Sequence, residues 1–251
     1  MTTEPATSPT SAPAAAPSGG PLVSVLVAAF NEEDTVEAVV RCVADLPFRS
    51  EIVVVDDGSA DGTRAVLERL EGSDAVPGLR VLSHERNRGK GAAVRTAIDA
   101  SKGDIVVIQD ADLEYDPRDL PRLLAPILEG HADVVFGTRL RGGQPQRAHL
   151  FWHYAGNRFL SLLTNVLFNT TISDMEVGYK AFRGDLVRSL DLVSDDFAIE
   201  PEITGQVCKR KLRVYELPIS YYGRTYAEGK KITWRDGISA VAILLRFRFG
   251  R

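Results

Sequence analysis

The sequence predicts an α/β fold in which helices cover both faces of a mostly parallel sheet. Four apolar, β-branched runs of strand length recur in the first half of the chain, and a segment with helical spacing follows each of the first three. Continuous apolar strands separated by helices are typical of parallel sheets buried on both faces. With 251 residues, of which 44% are hydrophobic, the chain is long enough to form one such domain with a sizeable core.

The elements of the first half alternate regularly. The predicted strands cover residues 22–30, 51–57, 79–85 and 104–110, and the intervening helical segments cover 31–46, 58–71 and 89–101. Asn31 is the expected N-cap of the first helix, because its side chain can accept a backbone N–H and acids follow it in the first turn. Up to about residue 112, this order indicates a nucleotide-binding half.

The second half is less regular. We predict a strand over 132–139, a loop over 141–147, a long helix over 150–169, a helix over about 201–211, a strand over 212–222 and a basic loop over 223–232. The first residues are rich in Pro, Ala, Ser and Thr, without the basic flank or apolar stretch of a signal peptide. The expected organisation is a disordered tail over 1–21, one α/β domain over 22–232 and a C-terminal amphipathic helix over 233–251.

Composition argues against several classes of protein. Lys and Arg number 30 against 34 acids, a net charge of -4, which gives no overall electrostatic case for binding nucleic acid. The most apolar late stretch, residues 238–247, has the length of roughly half a membrane span. Two distant cysteines fit neither a disulfide framework nor a zinc site. We therefore expect a cytoplasmic protein.

Polar clusters follow three of the four predicted strands of the first half. These clusters are Asn31 and Glu32, Asp56 and Asp57, and Asp110 and Asp112. Because the carboxyl ends of parallel strands meet at one edge of a sheet, we expect the clusters to line a single crevice.

Alternating acids continue after the fourth strand, and like charges so arranged repel one another unless a cation lies among them. Asp112 and Glu114 can bind one Mg²⁺ or Mn²⁺, with phosphate oxygens of a substrate completing the coordination. Asp110 is expected to approach the sugar or ribose end of a nucleotide.

Ordered motifs along the chain carry a family resemblance. The segments AFNEE, VVVDDGSADGT, NRGKGAAVRTAI and QDADLE resemble the donor half of family-2 glycosyltransferases, which have the GT-A fold. Later segments, GTRLRGG, SDMEVGYKAFR, EPEIT and YYGRTYAEGKKI, are similar to dolichyl-phosphate mannose synthases and bacterial polyprenyl-phosphate sugar transferases. The resemblance covers residues 22 to 249 and implies a Rossmann-like nucleotide-binding sheet flanked by helices, with a mixed acceptor-side half.

The resemblance implies roles for the matching residues. A nucleotide-sugar donor, UDP- or GDP-linked, is expected to contact Phe30, Asn31, Glu32, Asp56, Asp57, Gly58, Asp110, Lys230 and Lys231. Asp112 and Glu114 match the metal positions, although many relatives have Gln in place of Glu114. Arg224 and the two late lysines resemble a basic loop that closes on the donor diphosphate, where Lys-Lys replaces the usual Ser-Lys. Independently of the family, Lys90 lies in a glycine-rich basic turn that is suited to a phosphate.

The resemblance also implies a polyprenyl phosphate as the acceptor. A phosphate oxyanion is already nucleophilic at neutral pH and needs cations rather than a strong base. Arg139 matches an arginine that binds the acceptor phosphate. Arg139 and Arg147 both lie near the glycine-rich loop over 141–147, and a guanidinium can donate two hydrogen bonds to a phosphate. Asp112, Arg139 and Arg224 are then the catalytic candidates, and one in-line displacement would invert the anomeric centre.

A hydroxyl acceptor would require a base, for which Asp174 and Glu176 are the candidates. Asp174 has an equally good structural interpretation, as a helix cap or as a salt-bridge partner of Lys180 or Arg183.

The apolar residues of the second half have two interpretations. Trp152, the apolar run 159–168 and the terminal helix are suited to peripheral contact with the inner face of the membrane. For the terminal helix, the favoured interpretation is that it closes over the sheet.

Overall fold

The computed structural model describes residues 19–73, 75–148, 150–224 and 234–250. The predicted disordered tail falls outside these residues except for its last three positions, and Lys230 and Lys231 also lie outside them. Predictions for the tail and for the two lysines therefore stay predictions.

The described residues form one mixed sheet covered by helices. Its strands are β1 (Val23–Ala29), β2 (Ser50–Asp56), β3 (Leu79–Ser83), β4 (Ile105–Asp110), β5 (Val134–Thr138), β6 (Lys180–Arg183) and β7 (Val214–Pro218). The α-helices are α1 (Val36–Ala44), α2 (Thr63–Glu71), α3 (Lys90–Ala100), α4 (Leu120–Leu128), α5 (Phe151–Phe168), α6 (Gly184–Arg188), α7 (Ile199–Lys209) and α8 (Trp234–Phe249). The strand order in the sheet is β3-β2-β1-β4-β6-β5-β7.

The parallel half confirms the predicted alternation of strands and helices. β1 pairs in parallel with β2 and β4, and β2 pairs in parallel with β3. Side chains of β1, β2 and β4 are almost entirely buried, as their continuous apolar runs predict. Consequently, the carboxyl ends of β1, β2 and β4 meet at one edge, with β1 between the other two.

The predicted N-cap of the first helix is wrong. α1 begins at Val36 with Thr35 as its N-cap, whereas Asn31 has a left-handed backbone with φ of 55°. The side chain of Asn31 instead accepts the Ala60 N–H at 2.8 Å. Asn tolerates this conformation better than most residues. Asn31 therefore connects the loop that follows β1 to the loop that follows β2.

β6 runs antiparallel to both of its neighbours, β4 and β5, and has no counterpart among the predicted elements. Because of this direction, the beginning of β6 lies at the same edge as the end of β4. The segment 174–179, which leads into β6, is therefore placed beside the acids that follow β4. β7 is shorter than predicted and ends at Pro218, which lacks an N–H to extend the ladder.

The terminal helix α8 packs against α7 and α5 rather than over the sheet. Ala240 and Leu244 are its buried residues in this contact. Within the described ranges, no helix combines the length and the apolar character that crossing a bilayer requires.

Candidate active site

A cavity of about 330 Å³ opens at the edge where β1 and β4 end. Predicted site residues that line it are Phe30, Glu32, Asp57, Lys90, Asp110, Asp112, Glu114, Arg139 and Arg224. Other predicted site residues are described by the structure but do not line the cavity: Asn31, Asp56, Gly58, Arg147 and Asp174. The structure thus brings the ends of three strands to one crevice, as the spacing of the acids predicts.

Arg224 joins the acids that follow β1 and β4. Its Nη2 donates to Asp112 Oδ2 at 2.8 Å and to Glu32 Oε1 at 3.1 Å. Its backbone N–H donates to Glu114 Oε1 at 2.7 Å, and the Tyr221 hydroxyl donates to Glu114 Oε2 at 2.8 Å. Three carboxylates, one that follows β1 and two that follow β4, therefore converge on one guanidinium.

This cluster carries more negative charge than Arg224 neutralises. Burial and the charges of Asp110 and Glu114 together raise the pKa of Asp112 to about 7, although Arg224 opposes them. An additional cation beside Asp112 would stabilise the ionised form of this carboxyl.

Asp112 and Glu114 fit a divalent ion by the chemistry of their donor set. Mg²⁺ and Mn²⁺ prefer oxygen ligands, and Mg²⁺ commonly takes one or two carboxylates together with substrate phosphates and waters. Across the part of the chain that the structure describes, no group of three or more His, Cys, Asp or Glu side chains is arranged as a metal site. Asp112 and Glu114 therefore suit an ion that also takes phosphate oxygens of a substrate as ligands.

Asp57 and Asp56 have different partners at the end of β2. Asp57 contacts Nδ1 of His84 at 2.6 Å and accepts the backbone N–H groups of Arg88 and Gly89 at 3.0 and 2.8 Å. Its carboxylate thus holds the turn before α3 in place. Asp56 accepts the Ser59 N–H with Oδ1 at 3.0 Å, while its buried Oδ2 has no hydrogen-bond partner among the described residues.

Gly58 makes the turn after β2 possible. Its φ is 70°, and a Cβ at this position would lie 2.4 Å from the carbonyl carbon of Arg86. Only glycine combines this conformation with this close approach.

Lys90 lies between two carboxylates at the back of the cavity. Its Nζ is 2.8 Å from Asp110 Oδ1 and 3.2 Å from Glu200 Oε1. Burial lowers the pKa of Lys90, but Asp110 and Glu200 outweigh this effect, and the pKa is raised overall. The ammonium stays charged and already has acid partners, so the predicted contact with a donor phosphate stays a prediction.

Arg139 and Asp174 form a two-pronged buried ion pair. Nε and Nη2 of Arg139 donate to the two Asp174 oxygens at 2.7 and 2.8 Å, and Asn157 donates to Asp174 Oδ1 at 2.7 Å. Burial alone would raise the pKa of Asp174, but Arg139 lowers it below the usual value. Asp174 therefore holds Arg139 in position and is poorly suited to accept a proton as a base.

The predicted salt-bridge partners of Asp174 are wrong. Lys180 pairs with Glu200, and Arg183 pairs with Asp185 and Asp133. Arg139 reaches Asp174 because β5 ends at the same edge at which the chain approaches β6.

Glu176 lines the cavity, whereas Asp174 does not. The sequence predicts both residues as candidate bases for a hydroxyl acceptor. Oε1 of Glu176 is buried without a hydrogen-bond partner among the described residues. Burial raises the pKa of Glu176 to about 7. Glu200 and Tyr221 are further lining residues absent from the predicted site. Both residues begin segments that carry the family resemblance, EPEIT and YYGRTYAEGKKI, so these segments are the signal that could have identified them.

The fold and the cavity define an α/β protein with a carboxylate-rich site at the carboxyl ends of its parallel strands. The model of glycosyl transferase family 2 matches residues 24–190. The chain belongs to this family and is a glycosyltransferase with the GT-A fold, which confirms the resemblance carried by its motifs.

Two relatives and one solved structure illustrate this membership. Glycosyltransferase AglJ of Haloferax volcanii is 32% identical over 203 residues, covering 80% of this chain and 63%, less than two thirds, of that protein. Undecaprenyl-phosphate mannosyltransferase of Micrococcus luteus is 28% identical over 240 residues, covering 91% of this chain and 93% of the relative.

The solved structure is glucosyl-3-phosphoglycerate synthase from Mycobacterium tuberculosis in complex with Mn²⁺, uridine diphosphate and glucosyl-3-phosphoglycerate. It matches with a TM-score of 0.69 at 24% identity, over 91% of this chain and 80% of that one. This likeness supports the fold.

Proposed function

We propose that this protein transfers a sugar from a UDP- or GDP-sugar to the phosphate of a polyprenyl phosphate, with inversion at the anomeric carbon and dependence on Mg²⁺ or Mn²⁺. The observation that carries the proposal is the ion pair between Arg139 and Asp174. The acceptor side of the cavity offers a fixed cation, whereas Asp174 is ionised and engaged. A phosphate acceptor needs such a cation and no strong base.

The donor end is supported by the order of groups along the sheet edge. Asp56, at the end of β2, keeps a buried oxygen without a partner among the described residues, which suits an N–H of the nucleobase. Asp112 and Glu114, which follow β4, would then face the diphosphate. A divalent ion bound there would offset the charge that accumulates on the departing nucleoside diphosphate. Arg224 contacts both carboxylates and can move its charge to a phosphate oxygen.

At the acceptor end, the pairing with Asp174 uses the Nε–Nη2 edge of Arg139 and fixes the orientation of the planar guanidinium. Arg147 is exposed on the loop before α5, and its Nη1 donates to the Gly223 carbonyl at 3.1 Å. This contact ties the predicted acceptor loop to the segment that carries Arg224. An oxyanion held by Arg139 would attack the anomeric carbon from the side opposite the diphosphate, which gives inversion.

We also propose that α5 and α8 contact the membrane surface. The apolar side chains that α5 exposes are Phe151, Trp152, Phe159, Leu162 and Val166, and Trp152 is 81% exposed. α8 packs against α5 and exposes Ile238 and Phe249. An exposed apolar patch of this kind is suited to the boundary between lipid headgroups and acyl chains.

A co-sedimentation experiment with anionic liposomes tests this contact. We expect Trp152→Ser to weaken binding several-fold, whereas Leu128→Ser should leave it unchanged, because Leu128 is 51% exposed at the end of α4. Equal sedimentation of the wild type with and without liposomes would contradict the membrane contact.

The transfer itself is tested with radiolabelled UDP- and GDP-sugars, Mn²⁺ or Mg²⁺, and a short polyprenyl phosphate. We expect label in the lipid phase for at least one donor, with loss of activity on chelation. The variant Asp112→Asn should lose roughly 100-fold or more, by analogy with the removal of one preorganised electrostatic group. Glu129→Gln, an exposed change on α4's C-cap, is the matched control. Donor binding without any lipid labelling would contradict the acceptor.

A hydroxyl acceptor is the alternative. It requires a base, and the geometry favours Glu176 over Asp174 for that role. Labelling of an alcohol acceptor but not of the phosphate would select this alternative.

A further inference from the structure

We propose that the inner wall of the cavity, formed by Asp110, Glu176 and Glu200, selects donors with a neutral hexose and rejects those with a hexuronate. This inference rests on the proposed nucleotide-sugar donor, and it names the chemical class of the sugar.

The sheet order places this wall at the sugar end of the donor. β2, with Asp56, lies on one side of β1, and β4, with Asp112, lies on the other. Glu176 precedes β6, the next strand beyond β4. A donor that runs from nucleobase at β2 to diphosphate at β4 therefore directs its sugar toward Glu176.

Close packing at Gly178 fixes the wall. A Cβ on Gly178 would lie 2.7 Å from Asp110 Oδ2 and 2.9 Å from Lys90 Nζ. A side chain at residue 178 would therefore displace the ends of the Asp110 and Lys90 side chains, which now lie against the segment that brings Glu176 to the cavity.

The two lysines beside this wall, Lys90 and Lys180, already have carboxylate partners. Lys90 pairs with Asp110 and Glu200, and Lys180 also pairs with Glu200. A carboxylate on the sugar would thus have to compete with protein carboxylates for every one of these described cations.

Glu176 supplies the selective group. Its buried Oε1 has no hydrogen-bond partner among the described residues, so a ligand hydroxyl would satisfy it. A hydroxyl can donate to a carboxylate and accept from a carboxylic acid, and therefore fits either protonation state. A hexuronate instead brings a second negative charge to this carboxyl. Burial raises the pKa of Glu176 although the charges of Lys180 and Arg139 oppose this effect.

The test measures donor binding by calorimetry without acceptor, after titrations with UDP and GDP have identified the preferred nucleotide. The donor pairs differ only in the oxidation of one carbon: UDP-glucose and UDP-glucuronate, UDP-galactose and UDP-galacturonate, or GDP-mannose and GDP-mannuronate. For at least one pair we expect the wild type to bind the neutral donor roughly 30-fold or more tightly than the acidic one, the scale of discrimination that an unpaired like charge provides.

The variant Glu176→Gln keeps the size and hydrogen bonding of the side chain but removes its charge. We expect it to narrow the ratio between neutral and acidic donors roughly tenfold, whereas Glu129→Gln should keep the wild-type ratio. Equal binding of both donors by the wild type, or an unchanged ratio in a folded Glu176→Gln protein, would overturn the inference. If that variant does not fold, the wild-type ratio alone decides.

The outcomes separate this inference from the proposed function. Clear preference for neutral donors without transfer to polyprenyl phosphate would contradict only the acceptor. Transfer to polyprenyl phosphate with equal use of neutral and acidic sugars would contradict only the inference. A loss of turnover in Glu176→Gln with an unchanged binding ratio would identify Glu176 as a base and overturn its role in sugar selection.

Discussion

Replacing Glu176 by Gln should change how the stability of the protein depends on pH. Burial, together with the charge of Glu200 and against the opposing charge of Lys180, raises the pKa of Glu176 from 4.5 to about 7. The folded protein therefore holds this proton more tightly than the unfolded chain does. Because the pKa of this acid is higher in the folded state, protonated Glu176 contributes favourably to the free energy of unfolding. This contribution is complete below pH 4.5 and is lost as the pH rises through 7.

The magnitude follows from the difference between the two pKa values. At about 1.36 kcal/mol per pH unit, the rise from 4.5 to about 7 corresponds to roughly 3 kcal/mol of unfolding free energy. Glu176 borders an open cavity, so we expect solvent screening to reduce the effect to roughly 2 kcal/mol.

Urea unfolding of the wild type and Glu176→Gln at pH 5 and pH 8 measures this effect. Gln does not titrate, so the variant should gain roughly 2 kcal/mol relative to the wild type between the two pH values. The same comparison for the exposed Glu129→Gln should show no such gain. A stability difference between wild type and Glu176→Gln that is the same at both pH values would refute the reasoning.

Three further changes test other parts of the site. Asp174→Asn should destabilise the fold by about 3–5 kcal/mol in urea unfolding, because it leaves the buried charge of Arg139 without its partner. Adding Arg139→Met to this variant should recover part of the lost stability. No recovery would contradict the ion pair as the cause of the loss. Gly178→Ala should weaken donor binding at least tenfold by calorimetry, since its Cβ would lie 2.7 Å from Asp110 Oδ2; wild-type affinity would show that the wall adjusts freely. Asp56→Asn should weaken nucleoside diphosphate binding by roughly 1.5–3 kcal/mol, the range for a hydrogen bond to a charged group, and unchanged affinity would place the nucleobase elsewhere.

The parallel half of the fold was predictable because its physics is local. Apolar runs of strand length and the helices between them are each visible in a short window of sequence. Once these strands are parallel, the geometry of the sheet brings Glu32, Asp57 and Asp112 to one edge. Predicting the crevice therefore required only the order of strands and helices.

The acceptor side was harder to predict because its contacts join distant segments. The antiparallel β6 has four residues and no clear pattern of its own, yet its direction decides that Glu176 faces the cavity. The partner of Asp174 is Arg139, 35 positions away along the chain. Sequence reasoning considered only nearby cations such as Lys180 and Arg183, since long-range pairs depend on the register of the sheet.

Asn31 shows a limit of local rules within the well-predicted half. An Asn followed by acids is typical of a helix start, but the side chain of Asn31 binds the backbone of the loop after β2 instead. The same residue type favours left-handed turns, and contact with a neighbouring strand's loop decides between the two conformations.

The most direct test of the central claim compares two acceptors that differ by one phosphate group, a short polyprenyl phosphate and the corresponding polyprenol, with the same labelled nucleotide sugar and metal ion. We predict that label enters only the phosphate-bearing lipid, and that Arg139→Met abolishes this transfer while donor binding persists. Transfer to the alcohol, or transfer to the phosphate that does not depend on Arg139, would contradict the account of the acceptor site.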